Sequence, residues 1–315
     1  MVMWHFVSVL VSYCLAGAGA YGELFHVNPS FLILPFLLLS CGVIFGLERI
    51  VRAIISNLTA VKLGLLVFMA GTVFVISLQV DVKPQSNWSH TADSFLLGTV
   101  AVGGCVNTMP FMFQGYKATR VDVGRFRAAV MTGVSICWLL NIAWAFAVLH
   151  LVPQTDAVAK QYEEDGTLTS KAESLARAQE RGQISTVPVS RIIDAEFPEL
   201  HWLAVTVTAF IVLSVSVSFV TIGTGLKHVI DGMARLAAHT HQTLCGRVVT
   251  ETTHRWIRYA LWFIPVGAIA QANPQGFLVV LEVFTSLALN LEGGVFVGLM
   301  TLEAIDHPHP VLAHP

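Results

Sequence analysis

Apolar residues in this chain come in long blocks separated by polar connections. Eight blocks approach or exceed 18 residues, near 3–22, 31–49, 60–80, 95–113, 128–152, 201–226, 256–273 and 276–300. Roughly 20 apolar residues are needed to cross about 30 Å of hydrocarbon as a helix. The pattern therefore predicts eight transmembrane helices in an all-α membrane protein. Most connections are short. The segment 153–200 is the only water-soluble stretch of any size, and 227–255 is a basic loop. We read 1–315 as a single polytopic membrane domain. Inside the long loop, "LTSKAESLARAQERGQ" has helix-forming composition with mixed charge, which predicts a solvated surface helix; a regulatory element is the alternative.

The first block ends in "LAGAGA", small residues of the kind found at signal-peptide cleavage sites. No Lys or Arg precedes Arg49, so the positive region that opens a signal peptide is missing. A retained span is the expectation.

Composition agrees with the blocks. Of 315 residues, 55% are hydrophobic and 12% charged, with a mean hydropathy of +0.68. Soluble domains carry about twice that share of charge. A net charge of −2 gives no reason to expect a nucleic-acid partner. Cys14, Cys41, Cys105, Cys137 and Cys245 show no paired spacing and read as packing residues rather than a disulfide frame.

Basic residues stay cytoplasmic, so Lys and Arg counted loop by loop give orientation. Alternate connections hold twelve (Arg49, Arg52 and Lys62 among them) against six, five of those six in the 153–200 loop. The N-terminus is thus expected inside, and the fourth span runs from outside to inside. "NWS" places a glycosylation acceptor, Asn87, on an outer loop. "NLT" at Asn57 falls inside and should stay bare.

The fourth block, "TVAVGGCVNTMPFMFQGYK", is apolar but crowded with helix-disrupting residues: Gly103, Gly104, Asn107 and Pro110. Pro110 cannot donate to the carbonyl of Val106, and each glycine costs about 1 kcal/mol relative to Ala. Non-helical backbone inside a bilayer survives only against protein or a watery cavity. Discontinuous helices of this kind hold substrate and ion in transporters built from inverted repeats. A glycine-lined packing face with a tolerated kink is the alternative.

"FLLGTVAVGGCVNTMPFMFQGYKATRVDVGRFRAAVMTGVSICWLL" resembles the sixth and seventh spans of the aromatic amino acid (tryptophan/tyrosine) permeases of the amino acid–polyamine–organocation superfamily. Gly104, Asn107 and Pro110 match its Gly, Asn, Pro order; Val106 stands where that family usually has histidine. "VLVSYCLAGAGAYGELF" resembles the third span, "SFVTIGTGLKHVIDG" the eighth, and "NPQGFLVVLEVFTSLALNLEGGVFVGLM" the tenth. The resemblance implies a leucine-transporter-type inverted-repeat fold in which these eight spans are the family's third to tenth, with two earlier spans missing. A Met1 almost directly inside an apolar block suits an incomplete chain. It also implies an amino acid substrate held by the backbone of residues 103–107.

Other polar groups lie in the blocks. Glu282 and Glu292, ten residues apart and so about 80° around a helix, share a face with Ser286 and Asn290. A buried carboxyl titrates high enough to couple protons; capping a broken helix is the alternative. Ser214, Ser216, Ser218, Thr221 and Thr224 stud the sixth block. Such hydroxyls mostly bond the preceding turn, but by the resemblance Ser218 and Thr221 are candidates for ion coupling. The histidine pairs His239/His241 and His307/His309 lack partners at ligand spacing, and no metal or cofactor is expected beyond a coupling ion, H+. No enzyme motif occurs in the blocks. The expectation is a multi-pass secondary transporter of aromatic or neutral amino acids in a cell or organelle membrane, with proton symport. A non-transporting receptor or scaffold on the same fold is the alternative.

Overall fold

The computed structural model describes residues 2–46, 48–80, 82–84, 95, 98–100, 120–164, 173–181, 183–245 and 251–273, and short pieces of the last predicted span at 280, 285–291, 294–295, 298–299 and 302. Among these residues all regular structure is helical. The helices are α1 (Val2–Phe25), α2 (Pro29–Gly46), α3 (Glu48–Val80), α4 (Arg120–Leu151), α5 (Asp156–Glu164), α6 (Leu175–Glu180), α7 (Thr186–Glu196), α8 (His201–Cys245), α9 (Glu251–Ala272) and α10 (Ser286–Leu291).

Among the described residues five helices are long and apolar enough to cross a membrane: α1, α2, α3, α4 and α8. The chain is a multi-pass membrane protein of the all-α class. The seventh predicted span forms α9, whose Arg255, Arg258 and Gln271 leave it less apolar than those five. The fourth predicted span, 95–113, lies almost wholly outside the described residues, and the eighth, 276–300, largely so.

Local sequence sets the first hairpin. His26 takes a left-handed backbone (φ 55°) that ends α1, and the Val27 amide donates back to the Gly22 carbonyl at 3.0 Å. Asn28 then accepts the Ser30 amide on Oδ1 at 3.0 Å, with Pro29 opening α2. This is the usual chemistry of a helix start: a side-chain acceptor for an orphan amide, and a proline where no amide is needed.

α1 is the hub. Its apolar window is 72% buried, against 17–39% for the other four spans. It packs on α2, α8 and α9, while α3 pairs chiefly with α4 and also touches α8. The "LAGAGA" run is part of this seam: Ala16, Gly17, Ala18 and Ala20 are all buried. The Phe36 ring of α2 sits on Gly17, so close that a Cβ there would lie 2.7 Å from its Cζ. On its other side Phe36 meets Phe219 edge to face, 5.3 Å between centroids. Gly223 admits Ile44 and Gly267 admits Leu37 in the same way. The outer surface is as apolar as the interior, with Phe31, Leu34, Leu38, Leu63, Met131, Leu139 and Leu261 among its exposed residues. Small residues that let helices approach are what such helices use to associate in lipid.

The long loop is built rather than loose. Ser174 caps α6 by accepting the Arg177 amide at 3.1 Å. Ser174 also hydrogen-bonds Asp156, which Arg177 contacts at 2.9 Å. The Ser174 hydroxyl first, and Arg177 second, hold the Asp156 carboxyl below the usual carboxylate range. α7 buries Val187, Pro188, Val189, Ile192 and Ile193 and lies against α8 and α4. Arg191 joins this loop to the end of α1, reaching Glu23 at 2.9 Å and Glu173 at 3.0 Å.

The contrast between two glycines of α1 tests the seam. Gly17→Val forces a methyl group into the Phe36 ring and is expected to cost about 1–3 kcal/mol. At Gly19 a Cβ would meet nothing within 4 Å. Thermal unfolding of the purified protein should show a lowered midpoint for Gly17→Val and little change for Gly19→Val.

Candidate functional site

Within the apolar stretch Ile55–Val80 of α3 there is one charged residue, Lys62. Its Nζ donates to Ser218 Oγ of α8 at 3.0 Å, although the two residues are 156 apart in the chain. The phenol of Tyr13, on the buried helix α1, lies near Ser218. Three spans thus meet at one polar point, flanked on α8 by buried Val217 and Phe219.

The chemistry of this junction follows from its surroundings. A lysine near the centre of a membrane helix costs about 2.5–3.5 kcal/mol on insertion scales, and such residues as a rule face the bundle interior. An ammonium offers three donors, of which Ser218 takes one. The serine hydroxyl accepts from Lys62, so among the described residues the amine is held by a neutral group rather than by a carboxylate.

The other hydroxyls of α8 fare differently. Thr221 donates to the Val217 carbonyl and Thr224 to the Val220 carbonyl, each at 2.7 Å, bonding their own helix one turn back. Ser216 does likewise to Val212 at 2.7 Å, but it also meets the Tyr21 hydroxyl at 3.1 Å. Sequence had singled out Ser218 and Thr221 together; the structure brings only Ser218 to a charged group among the described residues.

Lys62 is a candidate functional residue that the sequence reading missed. It was counted with Arg49 and Arg52 as part of an inner loop, yet it lies about two turns inside the span. Its signal was present: a lone cation within "NLTAVKLGLLVFMAG". Moving it out of the loop leaves eleven basic residues against six, so the charge asymmetry stands.

The last predicted span also reaches two of its neighbours. π-Helical turns occur at Val280, Thr285, Gly294 and Val295, a distortion frequent at functional sites. Thr285 donates to the Val280 carbonyl at 3.1 Å and meets Ser8 of α1 at 3.2 Å. Asn290 donates to Thr99 at 3.0 Å, four residues before Gly103. The polar face that contains Ser286 and Asn290 thus abuts the start of the fourth predicted span. Gly103, Gly104, Val106, Asn107 and Pro110 lie outside the described residues, as do Glu282, Glu292 and Asn87.

At the basic end of the bundle, Tyr259 of α9 donates to Asp231 of α8 at 2.6 Å. Arg255 donates to the Tyr259 oxygen at 2.8 Å and to the same carboxylate at 3.2 Å. Phe45 of α2 stacks on Tyr259 at 4.8 Å, and Lys227 lies over the other ring system of this cluster, Phe45, at 5.9 Å. Together these contacts clamp α2, α8 and α9. Among the described residues no group of three or more His, Cys, Asp or Glu could hold a metal ion, and Cys14 and Cys41 are not in a disulfide.

Removing one member of a buried polar pair costs more than removing both. Ser218→Ala, which strands the Lys62 amine, should destabilise by about 1–3 kcal/mol. Adding Lys62→Met to that variant should recover part of the loss, measured as thermal midpoints of the three purified proteins. No family model, curated protein or solved structure matches this chain, so the function has to be argued from these atoms.

Proposed function

We propose that the protein is a secondary transporter of aromatic or neutral amino acids coupled to protons, with Lys62 and Ser218 as the coupling point. The observation that carries this reading is the Lys62 amine, placed inside a membrane span and bonded to a neutral hydroxyl at the junction of α1, α3 and α8. An ionisable group inside a membrane is a candidate for function because its insertion cost has to be offset by use. As an ammonium, Lys62 donates to Ser218 and holds α3 against α8. As a neutral amine it binds that hydroxyl less strongly, since charge-assisted hydrogen bonds are roughly twice as strong as neutral ones. Loss of the proton thus loosens one helix contact, and regaining it restores the contact.

The substrate side of the proposal rests on the interrupted stretch around Gly103–Asn107, with its Pro110, and on the resemblance to the permeases. Exposed amides there would bind the substrate carboxylate, and exposed carbonyls its amino group. Glu282, Glu292 and Thr221 remain candidates for a further part of the proton path. The leucine-transporter-type arrangement, a cytoplasmic N-terminus and an outer Asn87 belong to the same reading.

Uptake of radiolabelled tryptophan, tyrosine and leucine into proteoliposomes, with and without a proton gradient, tests it. Accumulation should follow the gradient. Lys62→Met should lower accumulation by more than tenfold while substrate exchange across the bilayer continues. Gly104→Leu should abolish both with the protein still present in the membrane. Absence of any uptake by the unsubstituted chain would favour a receptor or scaffold instead.

A further inference from the structure

A pocket of about 170 Å³, open on one side, lies between α3, α4, α7 and α8, one turn along α3 from Lys62. Its walls are Leu66 and Met69 of α3, Leu140 and Trp144 of α4, and Phe210 of α8. Two polar groups break this apolar lining. Thr186, the first residue of α7, contributes a hydroxyl that is buried and has no hydrogen-bond partner among the described residues. Asn141 of α4 spends its amide nitrogen on the Cys137 carbonyl at 2.8 Å and the Cys137 thiol at 3.4 Å. Asn141 is itself exposed, and its carbonyl oxygen has no partner among the described residues.

A buried hydroxyl left unbonded costs about 1–3 kcal/mol, so its persistence asks for an occupant. One water would serve the two polar groups and leave most of the volume empty. An apolar void of about 150 Å³ in another protein accommodates benzene, so the space here suits one aromatic ring. The polar pair then sets the substituent. Asn141 Oδ1 can only accept, while the Thr186 hydroxyl can donate. A ligand hydroxyl does both at once, donating to Asn141 and accepting from Thr186. Trp144 and Phe210 supply aromatic surfaces for the ring itself.

We propose that this cavity is a binding site for a small neutral phenol, independent of the transport reading. An occupant would join the base of α7 to α4 and so strengthen the attachment of the long loop to the bundle.

Fluorine NMR of 4-fluorophenol, added to the protein in nanodiscs with empty nanodiscs as background, tests the site. Saturable broadening is expected, lost in Leu140→Trp, which fills the void. The near-isosteric Thr186→Val should weaken 4-fluorophenol binding by about fivefold and leave 4-fluorotoluene unchanged, guarding against misfolding of the larger variant. Broadening no greater than with empty nanodiscs would overturn the proposal. So would equal binding of both probes with no effect of Thr186→Val, which would mark a plain apolar void.

Discussion

Lipid tails are as apolar as leucine, so expelling water cannot hold these helices to one another once they are in the membrane. What remains is close packing and the pairing of polar groups that lipid will not solvate. The architecture follows from that constraint. α1 sits at the centre because its small residues let neighbouring spans come near. The seats of Phe36 on Gly17, Ile44 on Gly223 and Leu37 on Gly267 are dispersion contacts that any added methyl would disturb. Aromatic contacts continue the seam from Phe36 to Phe219 and from Phe45 to Phe263 and Tyr259.

The polar pairs obey the same constraint with more consequence. Ser8 with Thr285, Tyr21 with Ser216, Lys62 with Ser218 and Asn290 with Thr99 each link different spans. Neutral pairs of this sort serve as glue. Lys62 is different in kind, because it brings an ionisable amine to its partner's hydroxyl. The clamp of Tyr259, Arg255 and Asp231 combines charge with aromatic stacking nearer the bundle's basic end.

Much of the fold was legible because hydrophobic blocks of spanning length leave few alternatives. Five of the eight predicted blocks appear as helices of spanning length and hydropathy, and a sixth forms α9. "LAGAGA" was read as part of a retained span despite its cleavage-like composition, and the arrival of Phe36 from α2 shows what its small residues serve. One feature was misread. Lys62 was assigned to a loop because charge counting treats a lysine near a span's end as outside it. Its partner Ser218 lies 156 residues away, a distance no local pattern bridges. "LTSKAESLARAQERGQ" was expected to form a surface helix and holds α6, whereas α7, outside it, presents Val187, Val189, Ile192 and Ile193 to the bundle. The α7 segment "TVPVSRIIDAE" has that apolar face in its sequence, downstream of the stretch that drew attention by its charge.

The length of α8 has a mechanical consequence. Its 45 residues form one rod of about 68 Å, with no proline along it. Phe210 at the cavity, Ser218 at the lysine and Asp231 at the clamp are strung on that rod, spaced about 12 and 20 Å apart. A stiff rod cannot yield at one of these stations and stay still at the others. A tilt of ten degrees about Ser218 would carry Asp231 sideways by about 3 Å, enough to part a hydrogen bond. Three sites are thereby geared together, and the gear ratio is fixed by where each residue falls along a single helix.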